Sequence, residues 1–358
     1  MRVVSLFLFL TAVFAATEDI VSAQREQSLE IVAIDVEGGQ AILFVSPAGE
    51  SLLMDAGNPG ARDADRIVGA ARAAGVTQID YLVVSHFHGD HFGAVPDIAA
   101  RMPIRTFVDY GATKETTERA LAGQKAYVAV RDTGRHILAR PGDVIPIKGL
   151  DVRIVTADGA AVASALPGGG EPNPLCREFM PQEGNQAAAE DSRSVGVVVA
   201  FGRFRALNLG DLTWNKEYDL VCPNNLLGTV DVYFTNHHAV TGAVSPTMVH
   251  AIRPRIALFD NGATKGASRE PFLSVKTSPG LEDMWQLHYS MPRPPRVLFG
   301  ETTDQGGKEW NAPDRFIANL EDDRHATAYA LTISAHEDGS FAVTNQRTGF
   351  RKEYKARR

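Results

Sequence analysis

Four side chains that can bind a metal ion lie within six residues of one another. Residues 86–91 read His-Phe-His-Gly-Asp-His and follow the apolar run 81–85. Imidazole nitrogens and carboxylate oxygens are ligands that zinc and similar divalent cations accept, and a strand followed by a tight loop can direct several of them to one point. Three of the ten histidines of the chain fall in this segment, where burial without a partner would be costly. The segment therefore predicts a metal site.

This segment resembles the His-x-His-x-Asp-His signature of the metallo-β-lactamase-like hydrolases, in which it follows a hydrophobic strand. Three further segments resemble that family, in the order in which the family has them. Residues 51–57 end in an Asp-x-Gly turn, residues 206–211 end in Gly-Asp, and residues 233–238 end in two histidines. The resemblance implies an α/β fold: a four-layer αβ/βα metallo-β-lactamase-like sandwich that usually holds two metals between its sheets.

The resemblance also implies a role for each metal-competent residue of these segments. His86 and His88 would hold a first metal, and Asp90 and His91 would hold a second. Asp211 would bridge the two metals, because the family uses the carboxylate of its Gly-Asp turn in this way. We expect zinc, as two ions, with manganese or iron as alternatives.

Two ligand positions stay open at this point. His237 or His238 would complete the second set; strand alternation would point these neighbours in opposite directions, so we expect at most one of them as a direct ligand. The third ligand of the first set is a histidine in the family, but none occurs between residues 136 and 237. Asp191 is the best substitute and Glu190 the next, because a carboxylate oxygen can replace an imidazole nitrogen. The alternative for Asp191 is an ordinary turn residue.

The predicted chemistry is attack by a metal-bound hydroxide. Two cations that share a bridging carboxylate lower the pKa of a bound water until hydroxide is available near neutral pH. Asp90 could orient that water, so we predict Asp90 and Asp211 as the catalytic residues. The chain has no Gly-x-Ser-x-Gly segment, so a serine nucleophile of that type is not predicted.

Four residues outside the predicted ligand set also bear on the site. Asp55 is expected to hydrogen-bond a metal-binding histidine and fix its orientation. His288 is a candidate pocket residue, although a structural histidine is the favoured interpretation. Cys176 and Cys222 are the two cysteines of the chain; they could pair in an oxidising compartment, and their spacing is not that of a Cys-x-x-Cys metal site.

Strands and helices alternate in the segments that would position these residues. Strands are predicted at 29–36, 41–46, 52–55, 81–85, 106–109, 152–156, 195–201 and 204–209, and helices at 63–74 and 113–122. Residues 315–320, 329–333 and 340–345 alternate like an antiparallel hairpin, with Asp338 and Gly339 in its turn. We predict a metallo-β-lactamase-like catalytic domain over residues 24–275 and a C-terminal β-rich extension, residues 276–358, packed on the same domain.

Two short segments of the chain are nearly identical. Residues 109–114 read Asp-Tyr-Gly-Ala-Thr-Lys and residues 260–265 read Asp-Asn-Gly-Ala-Thr-Lys. The family fold is pseudo-twofold, so the two segments could be equivalent strand-to-helix turns. Chance similarity is the alternative.

Residues 1–23 have the pattern of a secretory signal peptide, with a positive charge at Arg2, a short apolar run and a small-x-small cleavage site before Gln24. The run is too short to cross a bilayer, and no later stretch is as apolar. We expect a secreted or periplasmic location and no membrane span in the mature chain; a retained anchor is the alternative. The formal charge of −7 argues against a general nucleic-acid surface, although not against a local one.

The finer resemblance is to a branch that includes the metallo-β-lactamase-like domain of bacterial competence DNA-channel proteins and some phosphorylcholine esterases. Residues 35–41 approximate Asp-Val-Gly-Gln-Gly-Asp-Ala and residues 237–240 approximate His-His-Gly-Ser, but Glu37 and Ala239 depart from these patterns. The predicted function is a secreted metal-dependent hydrolase of a small-molecule ester or phosphodiester-type substrate. The alternatives are an exported nuclease and a non-enzymatic metal-binding protein of the same fold. The oligomeric state is not determined by these features.

Overall fold

Two nine-stranded β-sheets form the framework of the protein. The computed structural model describes residues 28–182, 189–294, 296–298, 301–303, 306–321 and 328–357. The predicted signal peptide, residues 1–23, lies outside the described residues.

The strands are short, and most are buried at their centres. In chain order they are β1 (Leu29–Ala33), β2 (Ile42–Val45), β3 (Ser51–Met54), β4 (Ile79–Val83), β5 (Ile104–Asp109), β6 (Arg135–Leu138), β7 (Val144–Ile145), β8 (Asp151–Ala157), β9 (Ala160–Ala161), β10 (Glu171–Pro172), β11 (Gly196–Phe201), β12 (Phe204–Asn208), β13 (Asn224–Asn225), β14 (Val232–Phe234), β15 (Ile256–Phe259), β16 (Asp283–His288), β17 (Arg296–Leu298), β18 (Glu301–Thr303), β19 (Ile317–Asn319), β20 (Leu331–Ala335), β21 (Phe341–Asn345) and β22 (Arg351–Tyr354).

Both sheets change from antiparallel to parallel pairing along their width. The first sheet has the order β22-β21-β20-β1-β2-β3-β4-β5-β6, and it is antiparallel from β22 to β3 and parallel from β3 to β6. The second has the order β19-β16-β15-β14-β12-β11-β8-β7, with β9 beside β8, and it is parallel from β12 to β19. The carboxyl ends of parallel strands lie at one edge of each sheet, where loops can carry functional groups.

Helices connect many of the parallel strands. They are α1 (Ala61–Ala73), α2 (Gly89–Phe92), α3 (Val95–Ala99), α4 (Glu118–Arg131), α5 (Trp214–Val221), α6 (Pro246–Ile252) and α7 (Arg269–Lys276). Single 3-10 turns lie at Pro174–Arg177, Asp191–Arg193, Asn236–Ala239, Lys308–Trp310 and Asp314–Phe316.

Strand alternation gives the second sheet two apolar faces, one toward the first sheet and one toward helices. Between the sheets, the rings of Phe44 and Phe234 lie 6.1 Å apart. On the other face, the ring of Phe259 lies 6.1 Å from that of Phe272 in α7. On the outer face of the first sheet, Val45, whose side chain points away from that of Phe44, borders the same groove as Ala70 and Ala73 of α1. The layers are helix, sheet, sheet and helix, so the predicted four-layer sandwich is confirmed.

One predicted helix begins later in the structure than in the sequence analysis. The helix predicted over residues 113–122 is α4, which begins at Glu118 and continues to Arg131; the Thr117 side chain caps it by accepting a hydrogen bond from the Ala120 amide. The prediction was wrong at this end because the Thr113 hydroxyl and the Lys114 amide donate hydrogen bonds to the buried Glu190 carboxylate. Those contacts hold residues 113–114 outside the helix.

The C-terminal residues supply strands to both sheets. β20 and β21 form the predicted antiparallel hairpin, with Asp338 and Gly339 in its turn, and β20 also pairs with β1. The prediction that residues 315–320 belong to this hairpin was wrong, because β19 lies in the second sheet and runs parallel to β16. The domain boundary after residue 275 stays a prediction.

Cys176 and Cys222 form a disulfide, with their Cα atoms 5.7 Å apart. It joins the 3-10 turn Pro174–Arg177 to the residue that ends α5. The sequence analysis left this pairing open.

Candidate metal centre

The predicted metal ligands come from loops that follow strands of both sheets. Residues 84–91 follow β4 and enter the single-turn helix α2. Asp211 follows β12, and His237 and His238 follow β14. Asp191 begins a 3-10 turn that precedes β11. All eight predicted ligand residues meet in one cluster, in overlapping groups whose ligand atoms lie within 4.8 Å of one another. That these residues bind metal stays a prediction.

His86, His88 and Asp191 form what we name the first half of the cluster. Nε2 of His86 lies 3.0 Å from Nδ1 of His88. Oδ1 of Asp191 lies 2.8 Å from Nδ1 of His88 and 3.3 Å from Nε2 of His86. The Asp191 carboxylate therefore lies beside both imidazoles, as expected of a residue that takes the place of the missing third histidine.

Asp90, His91 and His238 form the second half of the cluster. The Nε2 atoms of His91 and His238 lie 3.2 Å apart. Oδ2 of Asp90 lies 3.8 Å from the first of these nitrogens and 3.7 Å from the second. Both imidazoles are fully buried, whereas the Asp90 side chain is 22% exposed.

Asp211 lies between the two halves. Its Oδ2 atom is 3.2 Å from Nε2 of His91 and 3.9 Å from Nε2 of His86, and its Oδ1 atom is 3.4 Å from Nε2 of His238. This is the position that a bridging carboxylate requires, because one side chain reaches nitrogens of both halves.

Both His237 and His238 face the cluster, so the expectation that they point in opposite directions was wrong. They lie in a turn, not a strand, and both have left-handed backbone angles, with φ of 51° at each residue. Nε2 of His237 lies 3.7 Å from Oδ2 of Asp211 and 3.9 Å from Oδ2 of Asp191. His237 therefore contacts the first half and His238 the second.

Glu190 does not reach the cluster, although it was the second choice for the missing ligand. Its Oε1 atom accepts a hydrogen bond of 2.9 Å from the Phe87 amide and one from the Tyr110 hydroxyl. Burial would raise the pKa of Glu190, but its hydrogen bonds hold that pKa below the ordinary value. Glu190 therefore connects the 3-10 turn that begins at Asp191 to the loop of residues 86–91.

The imidazoles of the second half are oriented by oxygen atoms at their Nδ1 sides. Oδ2 of Asp55 lies 2.7 Å from Nδ1 of His91, and its two oxygens accept hydrogen bonds of 2.7 Å from the amide and hydroxyl of Ser85. The carbonyl oxygen of Asp260 lies 3.2 Å from Nδ1 of His238. The predicted contact between Asp55 and a motif histidine is thus present; such contacts fix ring orientation and raise ligand basicity.

Opposite charges balance within the cluster. Burial would raise the pKa of Asp211, but the imidazoles of His238 and His91 hold it well below its ordinary value. Burial would lower the pKa of His91, but Asp211 raises it well above its ordinary value. In the same way, burial would lower the pKa of His88, but Asp191 raises that pKa to about 9. A divalent cation could replace these protons, as it does when metals bind imidazole ligands.

The donor atoms of the second half suit a metal ion. Nδ1 of His91 faces a carboxylate oxygen and Nδ1 of His238 faces a carbonyl oxygen, so each Nδ1 carries the ring proton in the neutral form. Both Nε2 lone pairs are then directed at the same small space. In addition, Oδ1 of Asp211 is buried and accepts no hydrogen bond of normal geometry from the described residues. These features fit a cation between the rings.

Sequence reasoning missed Lys265 and Glu115. The ammonium group of Lys265 contacts Oδ2 of Asp90, and burial, which would lower the pKa of Lys265, is outweighed by Asp90, so the pKa is raised. Glu115 lies 3.5 Å from Nε2 of His88. The signal that could have found Lys265 was the repeated segment, because residues 109–114 and 260–265 begin at the ends of β5 and β15, in opposite sheets.

His288 lies outside the cluster in a buried ion-pair network. Its Nε2 atom is 2.5 Å from Oδ1 of Asp35 and 3.7 Å from Oε2 of Glu37. The guanidinium of Arg66 contacts both carboxylates at 3.1 Å. This arrangement agrees with a structural histidine.

A cavity of about 700 Å³ opens beside the cluster and is bordered by His88, Asp90 and Lys265. A larger groove, of about 860 Å³, lies along α1 and the C-terminal strands of the first sheet, away from the predicted ligands. Because the metal-competent side chains border the smaller cavity, that cavity is the candidate substrate site.

Residues 34–171 match the family model described as Metallo-beta-lactamase superfamily. Comparison with curated proteins gave no match. Among solved structures, the chain is similar to the metallo-beta-lactamase fold protein YhfI from Bacillus subtilis, with 11% identity and a TM-score of 0.40 over 65% of this chain and 85% of that chain.

Two further solved structures show weaker likeness. CmlA, a diiron β-hydroxylase from Streptomyces venezuelae, has 16% identity and a TM-score of 0.38 over 70% of this chain and 46% of that chain. A diphosphatase from the PhnP family has 13% identity and a TM-score of 0.35 over 65% of this chain and 86% of that chain. All three TM-scores are below 0.5, so these likenesses carry no argument about reaction or metal.

The matched segment runs from the end of β1 to β10 and includes the motif at residues 86–91. It ends before β11, so only the structure, and not the family model, assigns β11 and the later strands to this sandwich. The resemblance found in the sequence is confirmed: over residues 34–171 the chain carries the sequence pattern of the metallo-beta-lactamase superfamily, on the sandwich fold of that family.

Proposed function

We propose that the protein is a metal-dependent hydrolase that acts on an ester or phosphodiester-type substrate. The observation that carries the proposal is the position of Asp211, whose carboxylate faces imidazoles of both halves of the cluster. Two divalent cations held there would supply a hydroxide nucleophile near neutral pH and neutralise charge that develops on the substrate.

The residues around the cluster divide the remaining tasks. Asp90 borders both the cluster and the cavity, so its carboxylate is placed to orient an attacking water and accept its proton. Asp55 holds the ring of His91 in the tautomer that directs Nε2 to the centre. Burial of His91 and His238 limits access of bulk water to the second half, which strengthens electrostatic interactions there.

We propose zinc, as two ions, as the metal. The second half offers two imidazoles and one carboxylate, a donor set that zinc accepts. The first half contains Asp191 where the family has a histidine, and this carboxylate oxygen in place of a nitrogen would also suit manganese or iron.

We also propose that the protein is exported. The signal-like pattern of residues 1–23 supports this proposal, and so does the disulfide between Cys176 and Cys222, because disulfides persist mainly in oxidising compartments. Within the part of the chain that the structure describes, no helix has the length and apolarity needed to span a membrane.

The proposal is tested by metal analysis of the purified protein together with a hydrolysis screen. The screen contains chromogenic phosphodiesters, phosphomonoesters, lactones and β-lactams, and single-stranded DNA for the nuclease alternative. We expect two metal equivalents per chain, and turnover that a chelator abolishes and added metal restores. A full metal complement without turnover on any compound would favour the non-enzymatic alternative, and turnover that a chelator leaves unchanged would contradict the metal mechanism.

A further inference from the structure

The cavity beside the cluster has a charged inner end and largely apolar walls. The end that adjoins the cluster, which we name the inner end, is formed by His88, Asp90 and Lys265. The apolar walls come from rings, prolines and small residues, namely Pro59, Phe92, Pro96, Ala120, Gly123 and Ala126. A volume of about 700 Å³ is within the range of cavities that enclose small organic ligands.

One face of α4 forms part of the cavity wall. Ala120, Gly123 and Ala126 recur every third residue, so they share that face. A Cβ atom at Gly123 would lie 3.3 Å from the Phe92 ring, so the absence of a side chain lets helix and ring approach closely. Of the residues of α4, all of them described, only Tyr127 is buried. The small-residue face is therefore not part of the protein core.

Most acidic groups that line the cavity are paired with basic groups of the chain itself. Glu37 contacts Arg66 at 3.1 Å, and Asp97 contacts Arg101 at 3.5 Å. Because these carboxylates are already paired, they would attract a cationic substrate only weakly.

Asp90 contacts Lys265, and Glu115, the fourth acidic group of the lining, lies 3.5 Å from Nε2 of His88. On the opposite side of the charge balance, Arg119 is an exposed basic group at the start of α4. The lining as a whole therefore carries no strong excess of negative charge once its internal pairs are counted.

Lys265 differs from these groups because its partner is a predicted metal ligand. Its ammonium group contacts Asp90, and its side chain is 38% exposed on the cavity side. When a divalent cation shares the Asp90 carboxylate, that carboxylate no longer neutralises Lys265 alone. The inner end of the cavity then carries surplus positive charge next to the reacting centre.

We infer that the substrate is an organic anion with an apolar body: its phosphate-like group lies at the inner end, against Lys265 and the cluster, and its alkyl or aryl part lies along Phe92 and α4. The inference rests on the proposed function for the reaction and adds the class of substrate. Binding of such a molecule does not require turnover, so it can be measured independently.

The test compares methylphosphonate and hexylphosphonate, whose carbon–phosphorus bonds resist hydrolysis. Titration calorimetry on the metal-loaded wild-type protein should show hexylphosphonate binding at least about tenfold more tightly, because several methylene groups leave water. Equal affinity for the two compounds, or no binding of hexylphosphonate, would overturn the inference.

Matched variants on one helix locate the apolar subsite. Ala126→Phe places a ring in the cavity and should bring the hexyl-to-methyl affinity ratio close to one while methylphosphonate affinity and metal content stay unchanged. Ala122→Phe, at a position of α4 that does not line the cavity, is the control and should keep the wild-type ratio. Ala120→Phe provides a second filling position if Ala126→Phe fails to fold. An unchanged ratio in the correctly folded filling variants would remove the apolar subsite from this cavity.

Lys265→Met tests the anionic end. It should weaken both phosphonates by a similar factor of about ten at saturating metal, because the lost charge contacts the group that they share. Unchanged binding would exclude Lys265. The outcomes also separate this inference from the proposed function: a hexyl preference without any turnover contradicts the hydrolase, whereas turnover without a hexyl preference contradicts the cavity.

Discussion

The two imidazoles of the second half of the cluster are fully buried and each has an oxygen atom at its Nδ1 side, whereas the first half includes a partly exposed imidazole. His91 and His238 have no exposed surface, and oxygens of Asp55 and Asp260 hold their Nδ1 atoms. In the first half, the His88 side chain is 35% exposed. The second half therefore has the better oriented nitrogens.

Charge favours the opposite half. The second half contains the ammonium group of Lys265 beside Asp90, and this cation opposes the approach of another. The first half has Asp191 in place of a neutral imidazole and contacts no lysine or arginine among the described residues. We therefore expect the first half to fill at lower metal concentration, despite its greater exposure, because direct charge outweighs orientation at this distance.

The largest expected effect comes from the residue that the halves share. Asp211→Asn keeps the shape of the side chain but removes the negative charge that both halves face, so metal affinity should fall in both and hydrolysis should fall by more than about a hundredfold. Plasma emission analysis and far-ultraviolet dichroism would measure metal content and folding. Asp219→Asn, on the surface of α5, is the control. Full activity of Asp211→Asn at saturating metal would end the bridged two-metal model.

The second effect should be confined to one half. His86→Ala combined with His88→Ala removes two of the three side chains of the first half, so the protein should lose at least one metal equivalent while the second half keeps its ligands. Plasma emission analysis would measure the stoichiometry, with the exposed His336→Ala as the control. An unchanged stoichiometry would show that the motif histidines are not ligands.

Asp191 tests whether a carboxylate replaces the missing histidine. Asp191→Ala should weaken metal binding at the first half by about ten- to a hundredfold and leave the second half nearly unchanged, and Asp191→His should retain zinc at least as well as the wild type. Competition with a chromogenic chelator would measure both affinities. If the alanine variant keeps both affinities, the contacts of Asp191 with the imidazoles are only structural.

The smallest expected effect is a gain. Lys265→Met removes the ammonium group that shares Asp90, so the affinity of the second half for metal should rise, by about tenfold, whereas Lys265→Arg should stay close to the wild type. The same chelator competition would measure this change. A fall in affinity would mean that Lys265 supports the site by holding Asp90 in place, and the charge argument that separates the two halves would then be wrong.

The sequence was most informative where predicted ligands are close together in the chain. Residues 86–91 were found because a hydrophobic strand before a polar loop rich in histidine has a clear pattern. Asp211 and the sandwich were implied by the resemblance to the metallo-β-lactamase-like family, and the sandwich is confirmed. Lys265 was not found, because the repeated segment that contains it does not show which residues of the other sheet it contacts. Its contact with Asp90 depends on two loops from different sheets.

Two errors have the same physical origin, which is tertiary contact that overrides a local pattern. The start of α4 was misplaced because the hydrogen bonds of Thr113 and Lys114 to Glu190 join residues far apart in the chain. The directions of His237 and His238 were misjudged because strand alternation does not apply to residues with left-handed backbones. The disulfide partners were known, but their proximity required the fold.

The turn that carries the two adjacent histidines stores conformational free energy. His237, His238 and Ala239 all have positive φ, between 51° and 57°, and a left-handed conformation costs an L-residue about 1–2 kcal/mol. Neighbouring loops hold the turn in this form: the amide of Ala267 donates to the carbonyl of His238, and Gly266 packs so closely that a Cβ atom there would lie 2.0 Å from that carbonyl oxygen.

The backbone of this strained turn is already fixed in the folded protein. Contacts with the surrounding loops offset the free-energy cost of the left-handed conformation when the protein folds. Two imidazoles on consecutive residues therefore face different halves of the cluster before any ligand binds, and binding would cost little further conformational entropy. A less constrained backbone would leave that ordering to the moment of binding. Adjacent side chains thus face different halves of the cluster, which a β-strand at these positions would not permit.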